Sequence, residues 1–109
     1  MGAFIFIGES DRYQNKPLHQ YLMSFLRENG VAGATVLRGI EGFGKTSHIH
    51  SPSILRLSMD LPIIIEIVDH KEKIEKIKPE LCKIIGGGLI TEERVQIIHY
   101  ESEPQKEPA

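Results

Sequence analysis

Residues 33–46 read GATVLRGIEGFGKT, and this stretch decides between two kinds of fold. The short apolar run at residues 34–37 leads into a glycine-rich segment, as at the end of a strand. From Gly39 onward the segment satisfies the pattern G-x-x-x-x-G-K-[ST], in which backbone N–H groups cradle phosphates while Lys45 and Thr46 reach phosphate and magnesium. The pattern therefore indicates either a P-loop in a parallel α/β sheet or a glycine-rich strand end that imitates one.

The residues that follow argue against a P-loop. A working P-loop is followed at once by a helix whose N-terminus faces the phosphates. Residues 47–53 have no helical period, and Pro52 disfavours the helical conformation at Ser51. A P-loop hydrolase also needs several parallel strands with helices on both faces, more than 109 residues supply. With no convincing nucleophile and base either, the chain is not expected to be an enzyme.

The rest of the chain predicts the order β-α-β-β-α-β. Asp69 and Glu72 form a capping-box-like start to the second helix, and Pro79 should kink or split that helix. The predicted strands lie at residues 3–7, 34–37, 54–58 with 63–68, and 94–100, and the helices at 17–26 and 69–84. Two βαβ halves of this kind form one antiparallel sheet with both helices on one face, the ferredoxin-like α+β fold.

Length and composition limit the number of domains that the chain can form and the kinds of partner that it is expected to bind. The 109 residues are enough for one compact domain, expected at residues 1–101, with residues 102–109 as a flexible tail. A formal net charge of −2 gives no basic field, so nucleic acid is not an expected partner. Cys82 is the only cysteine, which excludes an intrachain disulfide and fits a reducing, cytoplasmic location.

A sheet covered on one side leaves its other face bare. Residues 63–68 are apolar at alternate positions on that face, so burial against other copies of the chain is economical. Glu66 interrupts this strand, and it must be either solvated or paired with a base such as Arg38 or Arg56.

Several separated motifs resemble an uncharacterised PII-like family, catalogued as domain of unknown function 190. The similar stretches span nearly the whole domain and lie at residues 7–11, 33–44, 49–50, 55–58, 60–62 and 66–69. The resemblance implies a ferredoxin-like fold assembled as a homotrimer, with sheets facing a central core and ligand clefts between subunits. It also implies a signalling protein that regulates a target protein, such as the membrane transporters that PII relatives often regulate.

In PII signalling proteins, those clefts bind adenine nucleotides through the base of a mobile T-loop and a glycine-rich B-loop. Here the T-loop corresponds to residues 42–53, and Arg38 and Lys45 are placed to help its backbone hold an anion. Three glycines in a row after the second helix allow a ligand to approach closely. The candidate ligand-binding residues are Arg38, Gly42, Phe43, Gly44, Lys45, His50, Gly86, Gly87, Gly88 and Thr91.

Two questions stay open at the level of sequence. PII B-loops carry a phosphate-facing lysine after their glycines, but this chain has LITEE at residues 89–93. AMP or another anion is therefore as arguable an effector as ADP or ATP. The alternative function is a metal- or ion-responsive binding protein that uses His48 and His50, which would lie on one side of an extended segment.

Overall fold

The computed structural model describes residues 1–43 and 60–101. Several sequence predictions lie outside the described residues: the ligand or metal candidates Gly44, Lys45, His48 and His50, the strand at 54–58 and the tail at 102–109. The elements in chain order are β1 Gly2–Gly8, β2 Arg12–Tyr13, β3 Lys16–Pro17, α1 Leu18–Glu28, β4 Ala34–Arg38, β5 Pro62–Val68, α2 Lys71–Ile85 and β6 Leu89–Glu93.

Four of these strands form one antiparallel sheet in the order β4-β5-β1-β6. The short strands β2 and β3 form a separate hairpin, whose turn residues Gln14 and Asn15 both have positive φ angles of 49° and 65°. Positive φ at both central residues is the geometry of the tight turns that suit antiparallel strands. The predicted α+β fold, an antiparallel sheet with two helices, is confirmed.

The core lies between the helices and one face of the two central strands. Side chains alternate between faces along a strand, so every second residue of β1 and β5 points to the helices. Ile5 and Ile65 are opposite each other in the register, and both are fully buried. The buried hydrophobic residues are Ala3, Ile5, Ile7, Leu18, Leu22, Leu26, Ile63, Ile65, Ile67, Ile74, Ile77, Leu81, Ile84 and Ile85.

Helix α1 has the bounds that its sequence pattern indicates. Leu18, Leu22 and Leu26 recur every four residues and are all buried, which places one stripe of the helix on the sheet. The helix ends at Glu28, and Gly30 follows with a φ of 73°, a left-handed conformation that glycine adopts at little cost.

Pro79 does not split α2, which continues from Lys71 to Ile85. The proline is exposed, and buried apolar residues on both sides of it, including Ile77 and Leu81, pack into the core. Interior proline costs a helix about 3 kcal/mol. The packing of the residues on either side offsets this cost, so the predicted split is wrong.

The predicted capping box is also replaced by a different arrangement. His70 is the N-terminal cap residue of α2 and makes no side-chain capping bond. The Asp69 carboxylate, only 7% exposed, accepts hydrogen bonds from the N–H of His70 at 2.6 Å and of Ala32 at 3.0 Å. The Asp69 N–H donates to the Met1 carbonyl at 3.1 Å. Asp69 therefore ties the start of α2 to the segment before β4 and to the start of β1.

The last strand lies earlier in the chain than predicted. It is β6 at Leu89–Glu93, and the segment at residues 94–100 belongs to no strand. The chain enters the sheet directly after the glycines. Leu89 pairs with Phe6 of β1, and Glu93 pairs with Gly2. Since β1 begins at Gly2, it offers no further partner to the residues after Glu93. The alternating pattern at 94–100 therefore gave a wrong strand assignment.

We expect Asp69→Ala to lower the free energy of unfolding by about 1–3 kcal/mol, because it leaves partly buried N–H groups without an acceptor. Urea unfolding of the variant measures this loss. Glu80→Ala is the matched control, since Glu80 lies on the exposed face of α2 and its loss should change stability by less than about 0.5 kcal/mol. Equal unfolding midpoints for the two variants would contradict this role of Asp69.

Candidate functional site

Loops from all four strands of the main sheet meet at one of its ends. β1 ends there at Gly8 and β4 at Arg38, while β5 begins there at Pro62 and β6 at Leu89. The register confirms this alignment, because Gly8 pairs with Pro62, Arg38 with Ile63 and Phe6 with Leu89. We call this the loop end of the sheet. It holds most of the candidate ligand-binding residues within the described chain.

On the β4 side of the loop end, Arg38 forms an ion pair with Glu9. The Arg38 side chain is 62% exposed and that of Glu9 is 19% exposed, so the guanidinium keeps donors that face solvent. The sequence predicts Glu66 as a possible partner of Arg38, whereas the observed partner is Glu9, which lies 29 positions earlier in the chain. Glu66 remains half-buried on the open face of the sheet, opposite Thr35 and Phe4.

The glycines after β4 pack against the start of β5. A Cβ atom on Gly39 would lie 2.7 Å from Cγ of Pro62, and one on Gly42 would lie 3.1 Å from the same atom. The Gly39 N–H donates to the Pro62 carbonyl at 2.7 Å. These glycines therefore have a packing reason to be glycine, and Phe43 next to them is exposed.

The loop after β1 is organised by its own acidic residues. The Asp11 carboxylate accepts a bond from the Gly8 N–H at 2.9 Å, and Asp60 Oδ1 accepts bonds from the N–H and hydroxyl of Ser10. Asp11 and Asp60 therefore hold the loop in place through hydrogen bonds to its backbone and to Ser10. Among the residues that the structure describes, no three His, Cys, Asp or Glu side chains are grouped to hold a metal ion.

On the β6 side, two of the three glycines have an architectural role. Gly86 ends α2 with a φ of 62°, and its N–H donates to the Cys82 carbonyl at 3.2 Å. A Cβ atom on Gly88 would lie 3.1 Å from the Phe6 carbonyl oxygen and would collide with the Ile85 side chain. Gly87 lies exposed between them. The predicted ligand contacts of this glycine run stay a prediction.

The residues after the glycines are arranged differently from a phosphate-facing loop. Thr91 lies within β6, opposite Phe4, and so on the open face of the sheet rather than in the loop itself. Glu92 points to the other face, where it forms an ion pair with Lys78, which also pairs with Glu75. Glu92, one of the two carboxylates of the LITEE stretch, is therefore neutralised by Lys78 of α2.

The two glycine-rich halves of the candidate site lie at opposite edges of the sheet. β4 and β6 are separated by β5 and β1. Neighbouring strands are about 4.8 Å apart, so the two edges are roughly 14 Å apart. One chain alone therefore does not bring Arg38 and Gly42 together with Gly86, Gly87 and Gly88.

The open face of the sheet carries a continuous row of apolar side chains. Leu37, Ile64, Phe6 and Leu89 are paired in register across all four strands, and we call them the apolar row. Leu37 and Leu89 are exposed, while Ile64 and Phe6 are half-buried. The alternation in β5 indicated this face from the sequence, but the row itself depends on the register of four strands.

Within the described residues, no helix is long and apolar enough to cross a membrane.

We expect Gly88→Ala to lower the free energy of unfolding by about 1–3 kcal/mol, because the methyl group overpacks the contact between α2 and β1. Gly33→Ala is the control, since nothing lies within 4 Å of its added Cβ atom. That variant should be unchanged or up to about 1 kcal/mol more stable. Chemical unfolding of both proteins checks the difference, and equal effects would show that Gly88 is not closely packed.

The ion pairs of Lys78 predict a dependence of stability on alkaline pH. The hydrogen bond to Glu92, with a second one to Glu75, raises the pKa of Lys78 above its ordinary value of 10.5. A raised lysine pKa contributes stability that is present below the unfolded value and is lost as pH rises through the folded value. Lys78→Met should therefore lower the melting temperature slightly at neutral pH, and this difference should begin to shrink as the pH rises past 10.5 and vanish only above the raised pKa of folded Lys78. Lys76→Met on the same helix is the control, and a difference that persists at high pH would exclude the ion pairs as its cause.

Known relatives match most of the chain. Residues 3–97 match the model of the DUF190 family, described as "Uncharacterized ACR, COG1993". A UPF0166 protein of Aquifex aeolicus is 40% identical over 95 residues, which cover 87% of this chain and 90% of the relative. A UPF0166 protein of Methanocaldococcus jannaschii is 38% identical over 87 residues, or 79% of this chain and 80% of the relative. The chain therefore belongs to the uncharacterised DUF190 family.

Proposed function

We propose that the chain is a non-enzymatic, PII-like regulatory protein that forms a homotrimer and binds a small anionic effector in the clefts between subunits. An adenine nucleotide is the effector that we favour. The observation that carries the proposal is the position of the two glycine-rich halves, which share one end of the sheet but lie at its opposite edges. A neighbouring copy is the simplest way to bring the two halves together.

A ring of identical chains has the geometry that the site needs. In a cyclic assembly, each copy uses one surface to contact a different surface of the next copy. The β4 edge of one chain then lies beside the β6 edge of its neighbour. Arg38 and the segment after it would face Gly86–Gly88 of the neighbour across a cleft at the loop end.

The open face of the sheet supports the same assembly. The apolar row crosses all four strands and is covered by no described part of the chain. Contiguous apolar surface of this kind favours an interface, and full burial of one large apolar side chain stabilises it by about 1.5–3 kcal/mol. Three open faces packed around a central axis would bury the row in every copy.

The pairing of Arg38 with Glu9 suggests how an anion would bind. A guanidinium has five N–H donors and makes paired bonds to phosphate or carboxylate oxygens. An effector phosphate would compete with the Glu9 carboxylate for these donors. The exposed ring of Phe43, five residues after Arg38, would offer a flat apolar surface to the adenine base.

Effector binding would then regulate the protein through residues 42–53. This loop begins at the cleft, so an effector held by Arg38 and Phe43 would restrict its conformations. A loop that changes order on ligand binding is a common switch, and the ordered form would bind or release a target protein. A membrane transporter is the kind of target that we propose on the basis of the family resemblance.

Calorimetric titration with AMP, ADP and ATP, with and without magnesium, tests the effector. We expect Arg38→Gln to weaken binding at least about ten-fold, because it removes charge-assisted hydrogen bonds to the phosphate. Glu9→Gln should strengthen binding up to about five-fold, because it removes the competing carboxylate from an exposed ion pair. Lys76→Gln removes one positive charge from the exposed side of α2 and should leave affinity unchanged.

Each part of this proposal has its own result that would contradict it. Absence of heat with all three nucleotides would exclude them as effectors. Equal effects of Arg38→Gln and Lys76→Gln would mean that overall charge, rather than the Arg38 site, sets the affinity. Light scattering tests the assembly separately, since three chains of 12.3 kDa give about 37 kDa. A chain that stays monomeric at all concentrations would overturn the inter-subunit cleft.

A further inference from the structure

Glu66 lies near the middle of the open face, which is the side of the sheet turned away from the helices. It is half-buried, and in the register it is opposite Phe4 of β1 and Thr35 of β4. Phe4 packs against Phe6 with ring centroids 6.5 Å apart, and Phe6 belongs to the apolar row that crosses the sheet next to Glu66. A carboxyl group is therefore set into a surface that is otherwise mainly apolar.

The described part of the chain supplies no base for this carboxyl group. Among the described residues, Glu66 takes part in no ion pair and in no side-chain hydrogen bond. The only basic residue in the four strands of the main sheet is Arg38, which is opposite Ile63 and so on the helix-covered face, where it pairs with Glu9.

The groups that face Glu66 from the neighbouring strands are neutral or acidic. On the open face, β1 and β4 carry no titratable side chain, and β6 carries Glu93 at the end away from the loop end. The other polar side chains on this face are the hydroxyls of Thr35 and Thr91. Burial of the open face would therefore enclose a carboxyl group without an opposite charge.

The proposed trimer would change the surroundings of this group in two ways. Three open faces packed around one axis would remove each Glu66 from water, and symmetry would bring three equivalent carboxyl groups towards each other. Loss of water and nearby like charges both disfavour the ionised form of a carboxyl group. The protonated form is uncharged, and it both donates and accepts hydrogen bonds, so a threonine hydroxyl is a suitable partner for it.

We propose that Glu66 takes up a proton when the open faces of the copies pack together, so that acid strengthens the assembly and alkali weakens it. This inference rests on the proposed trimer and adds a form of regulation to the same inter-subunit cleft. Because the cleft needs an edge of each of two chains, pH would control how many effector sites exist. A second copy is therefore the occupant of the open face to which we commit.

The sign and the size of the effect follow from proton uptake. A solvated glutamate ionises above about pH 4.3, so above this value the separated chains bind fewer protons than the assembly does. Each proton taken up changes the association constant about ten-fold per pH unit. Three copies take up at most three protons, and the concentration of half-assembly varies as the square root of the association constant. It therefore rises by up to about 30-fold per pH unit.

Light scattering on dilution series of the full chain at about pH 5.5 and about pH 7.5 tests the inference. We expect the wild type to need at least about ten-fold higher concentration for half-assembly at the higher pH. Glu66→Gln resembles the protonated acid and cannot ionise, so it should lose most of this dependence and assemble more tightly than the wild type at the higher pH. Glu80→Gln, on the exposed face of α2, is the control and should behave like the wild type.

The outcomes separate this inference from the proposed function. A trimer whose half-assembly concentration is the same in the wild type and in Glu66→Gln at both pH values would overturn the proton uptake and leave the trimer intact. Weaker assembly of Glu66→Gln at the higher pH would mean that a base pairs with the ionised carboxylate, which would also overturn it. A wild-type chain that is monomeric at both pH values would overturn the assembly itself.

Urea unfolding extends the test to an assembly that is too tight to separate by dilution. At one protein concentration, Glu66→Gln should raise the unfolding midpoint relative to the wild type at about pH 7.5, because no proton has to be taken up. The difference should shrink at about pH 5.5, where the assembled wild type holds the proton more easily. An equal difference at both pH values would show that the glutamine acts through packing, and the proton uptake would then be wrong.

Discussion

The antiparallel pairing of β1 with β5 is the interaction on which the rest of the structure depends. It runs from Gly2 opposite Val68 to Gly8 opposite Pro62, and its register places Ile5 against Ile65 in the centre of the core. Both helices pack on the face that these isoleucines form, and both edge strands pair with this central ribbon. A slip of one residue would turn the buried isoleucines to the other face, so burial fixes the register strongly.

The same register also creates the features that suggest function. Because β1 and β5 are buried on alternate residues, their remaining apolar side chains face away from the helices and form the apolar row with Leu37 and Leu89. The pairing also aligns the strand ends, so that the segments after β1 and β4 and before β5 and β6 emerge together. The candidate cleft and the candidate interface are therefore two consequences of one packing constraint.

The glycine-rich stretch that resembles a P-loop has a structural explanation in this fold. Gly39 and Gly42 allow the chain to pass closely over Pro62, and Gly86 and Gly88 allow α2 to end against β1. These glycines are required by turns and close contacts, whether or not a ligand is bound. The chemistry available to an anion comes mainly from Arg38, whose partner Glu9 is supplied by a distant part of the sequence.

The sequence by itself determined most of the local elements and the family: the periodic apolar residues of α1 and α2, the short apolar runs of β1 and β5, and motifs along nearly the whole domain. Each of these signals is formed by residues that lie within a few positions of one another in the chain, so it can be recognised without knowing the fold. Only the tertiary structure decided that β6 comes before residue 94, that Asp69 bonds to Ala32 instead of capping α2, and that Arg38 pairs with Glu9. Each of these three features depends on which unpaired group lies close in space. The length of β1 and the order of the strands decide which groups those are.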